Sequence, residues 1–259
     1  MPVLERAGAK IYYEFIGELS DRLVTLVNGH TRSSSDFRMM ARILGEAGIP
    51  SLLVDNRGAG KTEVSGPFTI NDFCDDIVAI WDHHNIPGSA LLGISMGGFI
   101  SQGIAIHHPA RVRKLILVSS APEERFINPT GGGWISEGQH LETKMRTYFA
   151  PGFVDRNPVL FQTMVTQIRQ AIDSGAFTAR SDAQRQALRG AGWTSLLSQI
   201  KNPTLVVHGD QDLVIDVAAA HLLHREIQGS RLQIITGAGH LLLAEAPKDL
   251  YQIVREFLL

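Results

Sequence analysis

The chain has 259 residues, 44% of them hydrophobic, which is enough to bury a large core in one α/β unit carrying an insertion. Its 24 basic and 26 acidic residues leave a formal charge of −2, so no net field draws it onto nucleic acid or an anionic membrane, and small neutral molecules are the expected partners. The single cysteine, Cys74, excludes an intramolecular disulfide framework; the opening Met1-Pro2-Val3-Leu4-Glu5-Arg6 is unlike a signal peptide and no apolar run reaches bilayer length, so a cytoplasmic protein is expected.

A short strand around Val3 and a run over 10–16 are joined too closely for a crossover, which predicts an antiparallel hairpin at a sheet edge. Short apolar, β-branched runs then recur at 23–27, 51–54, 90–93, 114–118, 204–207 and 232–235. Helical patterns lie between and beyond them at 37–47, 70–84, 97–107, 218–228 and 247–259, with apolar positions three and four apart. This alternation predicts an α/β fold in which an eight-stranded, mostly parallel sheet is covered by helices on both faces.

From 121 to about 198 the rhythm breaks: no strand pattern is convincing, and Gly131-Gly132-Gly133 and several prolines punctuate helical pieces rich in Phe, Met and Arg. The expectation is a helical insertion over 121–198 within a core made of 1–120 and 199–259. Trp134, Met145, Tyr148, Phe149, Phe153, Phe161 and Met164 either line a pocket above the sheet or fill the insertion's own core. Of these, Trp134, Phe149, Phe153 and Met164 are carried forward as candidate substrate contacts.

Gly93-Ile94-Ser95-Met96-Gly97-Gly98 follows an apolar run and opens a helical pattern. Glycines on both sides of Ser95 permit a tight strand-to-helix turn that holds its hydroxyl out at the strand's C-terminal end, above unpaired helix N–H groups. A serine hydroxyl is a poor nucleophile unless a base takes its proton, so a histidine held by a carboxylate is required elsewhere. After the final strand-like run comes Thr236-Gly237-Ala238-Gly239-His240, and after the one before it His208-Gly209-Asp210-Gln211-Asp212. Both lie at C-terminal strand ends, where open α/β sheets place their sites. Asp210 competes with Asp212 as the acid, and strand position does not separate them.

The other histidines carry weaker signals. His83-His84 and His107-His108 fall near helix ends, and His208 is read as structural. His221 and His224 are three apart on a helix, but no third ligand clusters with them, so they are read as surface and no metal is expected. Cys74 sits in a helical pattern beside Asp72, Asp75 and Asp76, which disfavour a thiolate, and is read as a structural thiol.

From Ile11-Tyr12-Tyr13-Glu14 through Asp55-Asn56-Arg57-Gly58-Ala59-Gly60 and the Ser95 turn to Gly209-Asp210-Gln211-Asp212 and Gly239-His240, the sequence resembles the α/β-hydrolase superfamily over nearly its whole length. The resemblance implies that the acid stands three residues after the glycine ending the penultimate strand, which selects Asp212. It also implies that 121–198 is the helical lid inserted after the sixth strand, the region that sets substrate choice. Oxyanion donors are then expected from the backbone N–H of Met96 and, by aligning Gly29 with the family's glycine, from that of His30. Here Asn28 replaces the family's usual histidine, so the loop's supporting hydrogen bonds must differ. Arg32, close by, is a candidate contact for a substrate carboxylate or a solvated rim residue, while Asp55 and Arg57 are read as holding loops together.

The implied function is a cofactor-free serine hydrolase, foremost a carboxylesterase acting on a small ester or lactone, as a monomer or homodimer. An enol-lactonase or a C–C bond hydrolase on a keto acid are alternatives within the class. A proline iminopeptidase would rely on acidic lid residues such as Glu123, Glu124, Glu137 and Glu142, and a perhydrolase or cofactor-independent oxygenase would share the triad. A non-catalytic small-molecule receptor of the same fold is the alternative from another class. Ser95 argues against an epoxide hydrolase or dehalogenase of this fold, which use an aspartate at that position.

Overall fold

A computed structural model describes residues 2–128 and 140–259 of the chain. The strands are β1 (Val3–Arg6), β2 (Ala9–Ile16), β3 (Val24–Val27), β4 (Ser51–Val54), β5 (Glu63–Val64), β6 (Ser89–Ile94), β7 (Val112–Val118), β8 (Thr204–Gly209) and β9 (Arg231–Ile235). They form one sheet in the order β1-β2-β4-β3-β6-β7-β8-β9, with the two-residue β5 hydrogen-bonded to β2 as a ninth strand among the described residues. β1 and β2 make the expected edge hairpin, β2 also runs antiparallel to β4, and every pairing from β4 to β9 is parallel.

β3, β4, β6 and β8 are buried along their whole length, which is why they read as continuous apolar runs. Their side chains alternate between two cores. Leu52, Leu91, Leu115, Leu117 and Val206 face α2 (Ile70–His83) and α3 (Met96–His107); Leu26, Leu53, Leu92, Ile116 and Val207 face α1 (Arg38–Glu46) and the C-terminal helix over Pro247–Leu258. Trp81 of α2 is fully buried, and its indole N–H donates to Thr25 Oγ1 at 3.0 Å, so burial leaves no orphan donor there. The same helix carries Cys74, 1% exposed, whose thiol is pushed up to about 12 by burial and by Asp75 and Asp76. Cys74 is therefore expected to resist a disulfide reagent at pH 8 in the native protein and to react fully in denaturant, as a thiol titration would record; fast native labelling would contradict this burial.

β7 is the sixth strand of the chain when the short β5 is set aside, and the described part of the segment after it contains four α-helices and no extended strand. These are α4 (Leu141–Arg146), α5 (Phe153–Arg156), α6 (Pro158–Asp173) and α7 (Phe177–Leu188). They have a core of their own built on Met145, Phe149, Val154, Phe161, Val165 and Ile168. The chain then closes with α8 (Ala218–Glu226), α9 (Leu242–Glu245) and α10 (Pro247–Leu258).

The helical segment is tied to the sheet's C-terminal edge through polar contacts. Gln184 of α7, fully buried, donates to the Arg57 carbonyl at 2.6 Å and accepts from the Thr31 N–H at 2.7 Å. His30 Nε2 donates to the Ser181 carbonyl at 3.1 Å, and the His240 N–H donates to the Tyr148 carbonyl at 3.0 Å. The segment thus covers the end of the sheet where β3, β4 and β9 release their loops. Among the described residues, no helix is long and apolar enough to cross a membrane.

Candidate active site

Ser95 stands between β6 and α3 with φ 54° and ψ −117°, a positive-φ conformation that most L-residues avoid and that is held by the packing around it. Its N–H donates to the Val118 carbonyl at 2.9 Å, and its carbonyl accepts from Ser120 Oγ at 2.9 Å. The turn is possible because Gly97 carries no side chain: a Cβ there would fall on the Val27 carbonyl. α3 can therefore begin directly behind β3, and the N–H of Met96, its first residue, has no intrahelical acceptor.

The loops after β8 and β9 bring two further groups to Ser95. His240 Nε2 is 3.1 Å from Ser95 Oγ, and His240 Nδ1 is 2.8 Å from Asp212 Oδ2. Asp212 Oδ1 accepts from the N–H groups of Val214 at 2.8 Å and Ile215 at 2.9 Å. Burial works against charge on Asp212, yet the His240 and His208 imidazoles and their hydrogen bonds outweigh it and hold the carboxyl well below the usual carboxylate range. Its contribution to stability is therefore fully present above the ordinary carboxylate pKa and is lost only as pH falls through that range toward the depressed folded value. Asp210 is placed elsewhere: its Oδ1 accepts from the Gly237 N–H at 2.6 Å, bracing the loop that carries His240.

Two supporting residues, His208 and Glu245, escaped the reading of the sequence in whole or in part. His208, fully buried and read as structural, reaches Asp212 Oδ2 at 3.1 Å and the Ile215 carbonyl at 3.0 Å through Nε2. Glu245 of α9 accepts from the Ala150 and Gly239 N–H groups at 2.8 and 3.1 Å and from Leu241 at 3.3 Å, strapping the His240 loop to the helical segment. Burial raises its carboxyl. Gly239 sits so close that a Cβ would lie 2.5 Å from the Ala150 nitrogen. The position of Glu245, five residues beyond His240, is its one sequence signal, and nothing in hydrophobic periodicity distinguishes it from a solvated helix residue.

The loop after β3 passes over Ser95, so near that a Cβ on Gly29 would lie 3.5 Å from Ser95 Cβ. Asn28 supplies the loop's altered support. Its Oδ1 accepts from the Gly29 N–H at 2.8 Å, its Nδ2 donates to the Ser33 carbonyl, and its own carbonyl accepts from Asn56 Nδ2 at 2.9 Å. Asp55, 1% exposed, braces the loops on either side of it through the N–H groups of Ser34 at 2.6 Å and Lys61 at 2.8 Å. His30 borders the site, with its side chain turned to Ser181; burial lowers its imidazole to about 4.

Ser95 and His240 open into a cavity of about 380 Å³ whose apolar wall includes Met145, Tyr148, Met164, Ile168, Phe177 and Val214. The Tyr148 ring meets the His240 ring edge-on at 5.8 Å. Of the expected substrate contacts, Met164 lines this cavity, and Arg32 borders it while gripping Asp36. Phe149 and Phe153 do not line it: their rings stack at 5.3 Å, and Phe149 packs on Phe161 inside the segment's own core, because a helical cover over a pocket must itself bury an apolar interior. Trp134 lies outside the described residues. A smaller pocket of about 50 Å³, walled by Met96, Phe99, Ala121 and Leu188, also reaches Ser95.

The family model described as serine aminopeptidase, S33, matches residues 19–247. The chain belongs to the α/β-hydrolase superfamily. The hydrolase is 29% identical over 204 residues to 3-oxoadipate enol-lactonase 2 of Acinetobacter baylyi, an alignment covering 75% of this chain and 73% of that relative. In fold it is similar to an α/β hydrolase from a Medee basin deep-sea metagenome library, with TM-score 0.87 at 17% identity, covering 99% of this chain and 96% of that one. It is also similar to the enol-lactonase of Burkholderia xenovorans, with TM-score 0.83 at 24% identity and 99% of both chains covered.

Proposed function

We propose that this hydrolase cleaves carboxylic esters of small molecules through an acyl-enzyme on Ser95, with His240 as general base and Asp212 as the group that orients it. The observation that carries the proposal is the unbroken line from Ser95 Oγ to His240 Nε2 at 3.1 Å and from His240 Nδ1 to Asp212 at 2.8 Å, at the floor of an apolar cavity. Ser95 attacks the acyl carbon as His240 takes its proton; His240 then delivers that proton to the leaving alcohol. Water, deprotonated by the same imidazole, releases the acid. The negative oxygen of each tetrahedral intermediate is met by the Met96 N–H at the start of α3 and by the His30 N–H of the loop over Ser95. Residues 121–198 act as the lid, and their helices supply the wall that measures the substrate.

An enol-lactone is the second reading, favoured by the 29% identity to an enol-lactonase, since a lactone is an internal ester opened by the same two steps. A chain-length series of p-nitrophenyl esters tests the proposal in wild-type and Ser95→Ala protein purified alike. Hydrolysis by the wild type alone, with a fluorophosphonate labelling Ser95, is the expected result. Equal rates in the two proteins, or no labelling of the wild type, would move the assignment to a binding role.

A further inference from the structure

The charges around the cavity are few, and their arrangement speaks to the substrate. Among the described residues lining it, the charged side chains are Arg32 and Asp36. They face each other as a bidentate pair, Arg32 Nε to Asp36 Oδ2 at 2.6 Å and Nη2 to Oδ1 at 2.8 Å. Asp36 is fixed further by Asn28 Nδ2 at 3.3 Å. The guanidinium thus enters the cavity already matched by a carboxylate that would repel any second one placed against it.

The His30 imidazole adds nothing positive: it donates through Nε2 to the Ser181 carbonyl and is neutral at neutral pH because it is buried. Behind His240 stands the buried Asp212 carboxylate, 2.8 Å from its Nδ1. Residues 129–139 contain no lysine or arginine. Arg180 lies in the adjoining outer groove, exposed, and donates to the Gly60 carbonyl at 3.3 Å. A carboxylate entering the cavity would leave water for a wall of methionine, isoleucine, phenylalanine and valine and would find no unmatched cation among the described lining residues.

We infer that the site is built for neutral, apolar esters and rejects substrates that carry a carboxylate on the group filling the cavity. This rests on the catalytic reading above and narrows it, setting acidic enol-lactones and keto acids aside. Arg32 is a structural partner of Asp36 and organises the loop after β3; it does not anchor a substrate carboxylate.

The test compares p-nitrophenyl hexanoate with mono-p-nitrophenyl adipate, which share a leaving group and nearly share a length but differ by one terminal charge. The wild type is expected to favour the hexanoate in kcat/KM by at least about 100-fold. Asp36→Asn, which releases Arg32 from its partner, should narrow that ratio by about tenfold or more through a gain on the adipate ester. Arg32→Gln should leave the preference for the hexanoate standing. A wild type that treats the two within twofold or favours the adipate, or an Arg32→Gln change that selectively removes adipate turnover, overturns the inference. Calorimetric binding of both esters to Ser95→Ala reads the preference without turnover. Preferential binding of the hexanoate supports the inference even if the wild type hydrolyses neither, an outcome that sinks the catalytic reading instead; equal or tighter binding of the adipate overturns the inference by itself.

Discussion

Asp212→Asn is expected to lower kcat/KM on the best p-nitrophenyl ester by about 10,000-fold, and Ser95→Ala by at least as much, with the fold of both variants retained. The reason lies in how Asp212 divides its oxygens. Oδ1 accepts from the Val214 and Ile215 N–H groups, and Oδ2 faces His240 Nδ1 and His208 Nε2. An asparagine keeps its oxygen toward the two N–H groups, because they cannot accept, and so turns its own NH₂ toward the imidazoles. His240 Nδ1 must then accept, which moves the ring proton to Nε2, directed at Ser95 Oγ 3.1 Å away. The base has become a donor. His208 escapes the same conflict by giving its N–H wholly to the Ile215 carbonyl at 3.0 Å. Steady-state kinetics with nitrogen NMR of the His240 ring would check both the rate and the tautomer; a loss below tenfold with the Nδ1–H form retained would show that Asp212 does not set the ring.

Asp76→Ala is expected to destabilise the protein by about 3–5 kcal/mol, with a fall in melting temperature of roughly 6–20 °C. Asp76 of α2 receives Arg57 Nε at 2.7 Å and Nη2 at 2.8 Å, and the Arg57 and Asp76 side chains are 1% and 5% exposed. Arg6 Nη1 adds a third donor at 2.9 Å. Removing the carboxylate leaves the buried Arg57 guanidinium to the Ala7 carbonyl at 2.9 Å and a long contact to the Arg6 carbonyl at 3.4 Å. The change also reaches the site, since the Arg57 carbonyl holds Gln184 of α7. Asp76→Asn, which keeps the shape and one acceptor, should be milder. A denaturant titration of both variants decides the matter, and a midpoint unchanged in Asp76→Ala would mean that the pair merely breaks even against its desolvation.

Much of this was legible in the chain before any coordinates. Alternating apolar runs and helical periods specified a parallel sheet between two helical layers, because a strand covered on both faces must be apolar throughout and a covering helix apolar on one stripe. The glycines beside Ser95 announced a turn too tight for other residues, and the order Ser95, Asp212, His240 placed three groups at C-terminal strand ends. What sequence order could not decide is which side chains meet across the fold. Asp210 and Asp212 stand two residues apart in one loop, and only the loop's path sends one to Gly237 and the other to His240. Phe149 and Met164 are alike in hydrophobicity, yet Phe149, in the turn between α4 and α5, fills the helical segment's interior while Met164 of α6 lines the cavity, since packing on neighbours sets which way each side chain faces. The Arg32–Asp36 clasp, the Glu245 strap and the His208 contact are likewise tertiary facts: composition and spacing supply charged and titratable groups, but only the closed structure matches each to a partner and leaves the cavity without a free cation among its described lining residues.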